Sequence, residues 1–185
     1  DGRVTIYKRN GTTWDFVQNI IGAAATYEKL GLSISMRGDY LLIGAPWANN
    51  YQGVAYLYKS NGSSFTLLTT LSDRSMTNFG ESVFMGVNKL YIGIPNKDYG
   101  TVYAYTKSGE WSNSLAPVKI AQTNNESLGF GATLNGNDDY IFIGAPESFA
   151  NGVKGGAVYM YSTSDANLST VPFASSPLGH FGSSI

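Results

Sequence analysis

The phrase that decides the fold is written three times: LLIGAP at Leu41–Pro46, LYIGIP at Leu90–Pro95 and IFIGAP at Ile141–Pro146. The glycines of these phrases stand at positions 44, 93 and 144, so the copies are 49 and 51 residues apart. A fixed period of about fifty residues built from short strands is typical of propellers and other repeat arrays. The repeat therefore predicts an architecture before it predicts a function.

Two further phrases accompany each copy. The phrase that precedes it is a large apolar residue and a glycine, at Leu30-Gly31, Phe79-Gly80 and Phe130-Gly131, with a fourth copy at Phe181-Gly182. The phrase that follows it starts with glycine and is rich in Val and Tyr, at Gly53–Tyr58, Gly100–Tyr105 and Gly156–Tyr161, with an extra copy at Gly2–Tyr7. Three phrases in constant order predict one structural unit repeated along the chain.

Each unit is predicted to contain four antiparallel strands. In the first unit these are Leu32–Met36, the apolar run Tyr40–Ile43, Gly53–Lys59 and an outer strand, Phe65–Leu71. Proline closes the second strand because it cannot donate to a β-ladder. The outer strand has weaker counterparts at Trp14–Ile20 and Trp111–Ile120. Four short strands joined by turns make one propeller blade.

The prediction is an all-β fold, a β-propeller segment with about three full blades and partial blades at both ends. Residues 1–28 are a partial blade with a connector, residues 29–78, 79–129 and 130–179 are blades, and residues 180–185 begin a further one. A propeller ring usually contains four to eight blades, so about three blades and partial ones are too few to close it. Two expectations follow: the remaining blades belong to the same longer chain, or a second copy completes the ring.

Composition excludes several classes of function. The 185 residues carry 12 basic and 13 acidic side chains without a basic stripe, so no nucleic-acid partner is expected. The sequence contains no run of 18 apolar residues, so no membrane-spanning segment is predicted. Cysteine is absent, which excludes disulfides and thiol catalysis. The chain contains one histidine, His180, and no pair of carboxylates recurs at a spacing that suggests acid and base roles. We therefore expect that the protein is not an enzyme.

The three phrases resemble the FG-GAP repeat family, the blades of the integrin α-subunit propeller and of bacterial surface proteins. Phe79-Gly80 and Phe130-Gly131 match its Phe-Gly, and Gly44-Ala45-Pro46 matches its Gly-Ala-Pro, whereas Leu30 and Ile94 depart from it. The resemblance implies an adhesion or ligand-binding module at a cell surface or outside cells. Calcium is common in the family's loops between the first two strands.

The corresponding loops here do not support calcium, and no cofactor is predicted. Calcium prefers six to eight oxygen ligands. Only one of these loops has several oxygen donors, and it lacks the alternating Asp pattern. The weak candidates in that loop are Asn135, Asn137, Asp138 and Asp139. We expect Asp138 and Asp139 to cap a turn through side-chain to backbone hydrogen bonds.

The candidate ligand-binding residues are aromatic side chains in the loops that follow the Gly-x-Pro phrases. These loops contain six, four and nine residues, and loops of variable length lie at the surface. The candidates are Trp47, Tyr51, Tyr99 and Phe149. They either contact a protein or glycan ligand, or cover the seams between blades. Two alternatives stay open: a lectin with one sugar site in each blade, and a non-catalytic scaffold attached to an enzyme domain outside this chain.

Overall fold

The computed structural model describes residues 2–22, 27–96, 99–112, 115–121, 128–150, 153–164, 173–174 and 179–185, and these residues are nearly all β-structure. The elements, in chain order, are β1 (Arg3–Asn10), β2 (Thr13–Ile21), β3 (Ser33–Arg37), β4 (Tyr40–Ala45), α1 (Ala48–Tyr51), β5 (Val54–Ser60), β6 (Phe65–Leu71), β7 (Ser82–Met85), β8 (Lys89–Ile94), β9 (Thr101–Thr106), β10 (Pro117–Ala121), β11 (Thr133–Gly136), β12 (Tyr140–Ala145), β13 (Phe149–Ala150), β14 (Val153–Lys154), β15 (Ala157–Ser162) and β16 (Phe173–Ala174). Within these ranges, no helix is long and apolar enough to cross a lipid bilayer.

Three four-stranded antiparallel sheets confirm the predicted propeller blades. Blade 1 is β3-β4-β5-β6, blade 2 is β7-β8-β9-β10 and blade 3 is β11-β12-β15-β16, while β1 and β2 pair with each other as a half-blade. The repeated apolar phrase forms the second strand of each blade. In β4 and β8 every residue after the first is buried, because a neighbouring blade covers each face.

The seams between blades explain why the phrases are conserved from unit to unit within this chain. A Cβ added to Gly44 would lie 2.0 Å from the Gly80 carbonyl oxygen, and one added to Gly93 would lie 2.1 Å from that of Gly131. Backbones can approach this closely only where no side chain intervenes. A hydroxyl on the first strand reinforces each approach: Ser82 Oγ donates to the Gly131 carbonyl at 2.7 Å.

The same hydroxyl contact occurs at each of the three described seams that follow a full blade. Ser33 donates to the Gly80 carbonyl at 2.9 Å, and Thr133 donates to that of Gly182 at 2.7 Å. The sequence pattern did not reveal this contact, because Ser and Thr are abundant throughout the chain. Each seam thus joins a glycine, a hydroxyl and the Phe-Gly phrase of the following unit.

The loops after the Gly-x-Pro phrases all lie at one end of the blades, which we call the rim. Each loop ends against the next unit: the Asn78 N–H donates to the Tyr51 carbonyl at 2.8 Å, and the Phe130 N–H donates to the Tyr99 carbonyl at 3.1 Å. Parallel bridges then pair Gly53 with Phe79 and Gly100 with Phe130. The short turns between first and second strands lie at the opposite end.

Two predicted elements differ from the structure. The outer strand of blade 2 is Pro117–Ala121 rather than Trp111–Ile120. Trp111 lies outside that strand and is buried among the side chains of blades 1 and 2. The loop after Pro146 also contains regular structure, because β13 and β14 form a small hairpin there.

Candidate functional site

The rim loop of blade 1 adopts an unusual backbone. Its single turn, α1, has φ and ψ of 54° and 49° at Asn49 and of 59° and 52° at Asn50, and Tyr51 follows with φ 66°. Three successive residues therefore take the left-handed conformation. Asparagine tolerates it, but tyrosine does so only at a cost of about 1–2 kcal/mol. Strain of this kind collects at binding sites, where the surrounding structure holds it in place.

Hydrogen bonds at both ends of the turn hold that conformation. The Tyr51 N–H donates to the Trp47 carbonyl at 3.2 Å, and the Gly53 N–H donates to the Ala48 carbonyl at 2.9 Å. The Tyr51 carbonyl accepts the Asn78 N–H of the next unit, and Ala48 is buried. The turn is thus fixed between blade 1 and blade 2 by contacts within the chain itself.

The turn presents a compact group of side chains, which we call the aromatic patch: Lys29, Trp47, Asn49, Asn50 and Tyr51. The Trp47 and Tyr51 ring centroids are 5.4 Å apart at a tilt of 58°. The Lys29 ammonium lies 3.5 Å from the Trp47 ring centroid, which is a cation–π contact. Trp47 is half-buried, whereas Tyr51 keeps 57% of its surface exposed and both asparagines are exposed.

The other two predicted aromatic residues lie on the same rim but apart from this patch. Tyr99 is half-buried, and its carbonyl accepts the Phe130 N–H at the seam between blades 2 and 3. Phe149 is half-buried in β13, opposite Lys154. Among the described residues, no ring contact joins either of them to Trp47 or Tyr51. The structure therefore brings two of the four candidates together.

Ionic side chains dominate the rim loop of blade 3. The Glu147 carboxylate pairs with the Lys154 ammonium and lies 3.2 Å from His180 Nδ1. The hydrogen bond from Lys154 lowers the pKa of Glu147, and the charge of Lys154 and the approach of His180 act in the same direction. This group attaches the segment around Phe181 to blade 3.

Three of the weak metal candidates, Asn137, Asp138 and Asp139, lie in the turn between β11 and β12, at the end opposite the rim, and Asn135 lies in β11 just before it. The Asn137 side-chain oxygen accepts the N–H groups of Asp139 and Tyr140, both at 2.9 Å, so Asn137 caps this turn in place of the expected Asp138 and Asp139. The Asp138 carboxylate instead pairs with Arg37 of blade 1 at 2.8 Å. Asn135 donates through its side chain to the Ile185 carbonyl at 2.9 Å.

These contacts do not fit the calcium that the family resemblance raised. The oxygens of Asn137 and Asp138 already have hydrogen-bond or ionic partners, and calcium needs six to eight oxygens around one point. Over the described part of the chain, no three His, Asp or Glu side chains are placed to hold a metal ion. Cofactor-free binding stays a prediction.

Comparison with known proteins supports the assignment made from the repeats. The family model described as FG-GAP repeat matches residues 14–58, from β2 through β5. Residues 14–58 are an FG-GAP repeat. The matched segment includes the aromatic patch and Leu30-Gly31, where Leu30 is 4% exposed and takes the place of the usual Phe. No curated protein matches the chain.

Three residues of the aromatic patch were missed from sequence. The Asn49-Asn50 pair carries a usable signal, because asparagine is enriched in the left-handed region. Lys29 carries no such signal, because its contact with Trp47 depends on a tertiary approach in which the Trp47 N–H donates to the Glu28 carbonyl at 3.1 Å. A search for paired asparagines in the rim loops would have found the turn.

Proposed function

We propose that the protein is an FG-GAP binding module that recognises a protein or glycan ligand at the aromatic patch, at a cell surface or outside cells, and that it carries out no reaction itself. The supporting observation is the left-handed turn that holds Tyr51 exposed. A strained tyrosine that glycine or asparagine could replace at lower energy is difficult to explain by folding alone.

The composition of the patch suits recognition. Tyrosine and tryptophan contribute large contact areas with few rotatable bonds, and both are enriched among residues that dominate binding energies. The exposed amides of Asn49 and Asn50 offer donors and acceptors beside the rings. The preformed turn lowers the entropy cost of binding, because the ligand does not need to order the loop.

The lectin alternative expects a similar sugar site in each blade. The rim loops instead differ in length and in conformation: a left-handed turn in blade 1, four residues in blade 2 and the β13–β14 hairpin in blade 3. This difference favours one main contact region on blade 1 over three equivalent sugar sites.

The test compares Tyr51→Gly with the unaltered chain on a glycan array and on immobilised extracellular-matrix proteins. Glycine removes the ring and accepts φ 66° without strain, so the free energy of unfolding should change by less than about 1 kcal/mol. For any glycan or matrix protein that binds the unaltered chain, the affinity of Tyr51→Gly should be at least tenfold lower. Tyr140→Ser is the matched control, because Tyr140 is 42% exposed at the opposite end.

Equal binding by Tyr51→Gly and the unaltered chain would refute the assignment of the patch. Three sugar-binding sites per chain, each lost with a different blade, would support the lectin alternative instead. If the unaltered chain binds no glycan on the array and none of the matrix proteins, the result would count against both the binding module and the lectin alternative.

A further inference from the structure

A cavity of about 320 Å³ lies between blades 2 and 3, at the end opposite the rim. Blade 2 lines it with the turn between β7 and β8 and with side chains of β8, and blade 3 lines it with the turn between β11 and β12 and with the residues at the end of β15. Small-molecule sites usually have volumes of about 300–1,000 Å³, so this cavity suits a compact ligand. Its polar lining includes Asn88, Lys89, Tyr91, Asn137, Asp138 and Thr163.

Lys89 lines the cavity with a half-buried side chain that carries a positive charge. Its ammonium donates to the Thr163 carbonyl of blade 3 at 2.6 Å, which uses one of its three N–H donors. Among the described residues no carboxylate pairs with this ammonium, because the Asp138 carboxylate in the same lining pairs with Arg37 at 2.8 Å. A partly buried cation with donors to spare favours an anion beside it.

Tyr91 adds a hydroxyl group for which no hydrogen bond to a described residue is found. The residue is only 2% exposed, and buried polar groups usually have a partner. Tyr91 and Lys89 are two positions apart on β8, so their side chains leave the same face of the strand. That face is turned toward blade 3, where Tyr91 belongs to a buried cluster with Ile141 and Ile143. The phenol and the ammonium therefore serve one cavity.

The repeat itself does not require this pair of side chains. The counterparts on the second strands of blades 1 and 3 are, in the same order, Tyr40 with Leu42 and Tyr140 with Phe142. Blade 2 alone of the three described blades combines a cation with a hydroxyl at these positions. Leu42 is fully buried at the position of Tyr91, so an apolar side chain satisfies the packing there. A polar residue that appears only beside the cavity indicates a role other than packing.

We propose that this cavity binds a small organic carboxylate, at a site separate from the aromatic patch and independent of the function proposed for it. The carboxylate contacts the Lys89 ammonium and accepts from the Tyr91 hydroxyl. The Asn137 amide N–H groups donate to other polar groups of the ligand, since the Asn137 oxygen already accepts two backbone N–H groups within its turn. One cation without an ionic partner matches one negative charge, whereas phosphate is usually held by arginines or by several converging backbone N–H groups.

Amide NMR of the ¹⁵N-labelled chain tests this proposal with acetate, lactate and glucuronate, with glucose as the neutral counterpart of glucuronate. Glucuronate should shift the signals of Val87, Asn88 and Asp138 until they saturate, and glucose at the same concentration should leave them unchanged. Lys89→Met should lower the affinity for glucuronate at least about tenfold, because it removes a charged donor. Lys119→Met is the matched control, since Lys119 is exposed on β10 of the same blade and its loss changes the net charge equally.

Tyr91→Phe provides a second variant that keeps the ring beside Phe84, where the centroids are 6.3 Å apart, and removes only the hydroxyl. It should retain the native amide spectrum and lower the affinity about three- to tenfold, so it tests the site even if Lys89→Met fails to fold. The proposal is overturned if none of the three carboxylates shifts these signals, or if glucose shifts them as glucuronate does. Tighter binding of inorganic phosphate than of every carboxylate also overturns it, as does unchanged glucuronate affinity in Tyr91→Phe and in a folded Lys89→Met.

Discussion

The contribution of the Phe-Gly phrase can be measured by comparing two of its copies. Phe130 is fully buried, and its ring meets those of Tyr159 and Tyr161 edge-on, at centroid distances of 5.3 and 6.1 Å. Phe181 occupies the same position in the partial last unit but is 39% exposed. Both have the same bridge to a glycine of the preceding blade, Phe130 to Gly100 and Phe181 to Gly156.

Phe130→Ala should cost about 4–5 kcal/mol, since a buried Phe→Ala change costs about 3–5 kcal/mol and edge-on aromatic pairs add about 0.5–1.5 kcal/mol. Phe181→Ala should cost about 1–2 kcal/mol, because much of that ring already contacts water. With a urea m-value of about 2–3 kcal/mol/M, the midpoint should fall by about 1.3–2.5 M for Phe130→Ala and by about 0.3–1 M for Phe181→Ala.

Equilibrium urea unfolding followed by tryptophan fluorescence measures both variants, and an unchanged m-value keeps the comparison valid. Equal losses would refute the reasoning that cover by neighbouring blades, rather than the phrase itself, determines the contribution. A small loss at Phe130 would show that the seam between blades 2 and 3 contributes little to stability.

Three further predictions concern the blades and their seams. Gly93→Ala should lower the free energy of unfolding by at least about 2–3 kcal/mol, because its Cβ would lie 2.1 Å from a carbonyl oxygen. Gly86→Ala, whose Cβ would lie 3.3 Å from its nearest atom, should lower it by less than about 1 kcal/mol in the same urea assay, and equal losses would contradict this. Ser82→Ala should lower the free energy of unfolding by about 1–3 kcal/mol, because it leaves the Gly131 carbonyl without the Ser82 hydroxyl donor. Ser82→Thr keeps the hydroxyl and should retain most of that stability, and a Ser82→Ala variant as stable as the unaltered chain would contradict the role of the hydrogen bond. Burial raises the pKa of Tyr91 to about 12 from an unfolded value near 10, so its contribution to stability is complete below pH 10 and is lost as pH rises through 12. Tyr91→Phe should make the alkaline decline in the urea midpoint less steep without abolishing it, because burial also raises the pKa of Tyr56 and of Tyr103 to about 12; an unchanged slope would contradict this.

The fold was predictable because the sequence positions that specify it obey a backbone constraint. Gly44 and Gly93 lie where another carbonyl occupies the space of a Cβ, so the same residue type must recur at each seam. The length of β10 was not predictable, because Trp111 has a high strand propensity yet is buried outside the sheet. Tertiary packing overrides strand propensity at such a position.

The candidate site was only half predictable for a related reason. Trp47 and Tyr51 were identified because they are aromatic and lie in a loop of variable length. Their contact depends on the left-handed turn, which is fixed by hydrogen bonds to the next unit rather than by local preference. Tyr99 and Phe149 carry the same sequence signal, but no equivalent turn brings either of them to the patch.

This difference indicates where the functional information of such a repeat lies. The seam residues are held by steric exclusion and by hydroxyl–carbonyl contacts that join one blade to the next, and these contacts recur with the same geometry from seam to seam. The rim turn is free of that constraint, and glycine would satisfy its backbone at position 51 at lower energy than tyrosine. A residue that the fold disfavours and that still points its ring toward solvent is the position at which selection for binding, rather than for folding, is expected to be measurable.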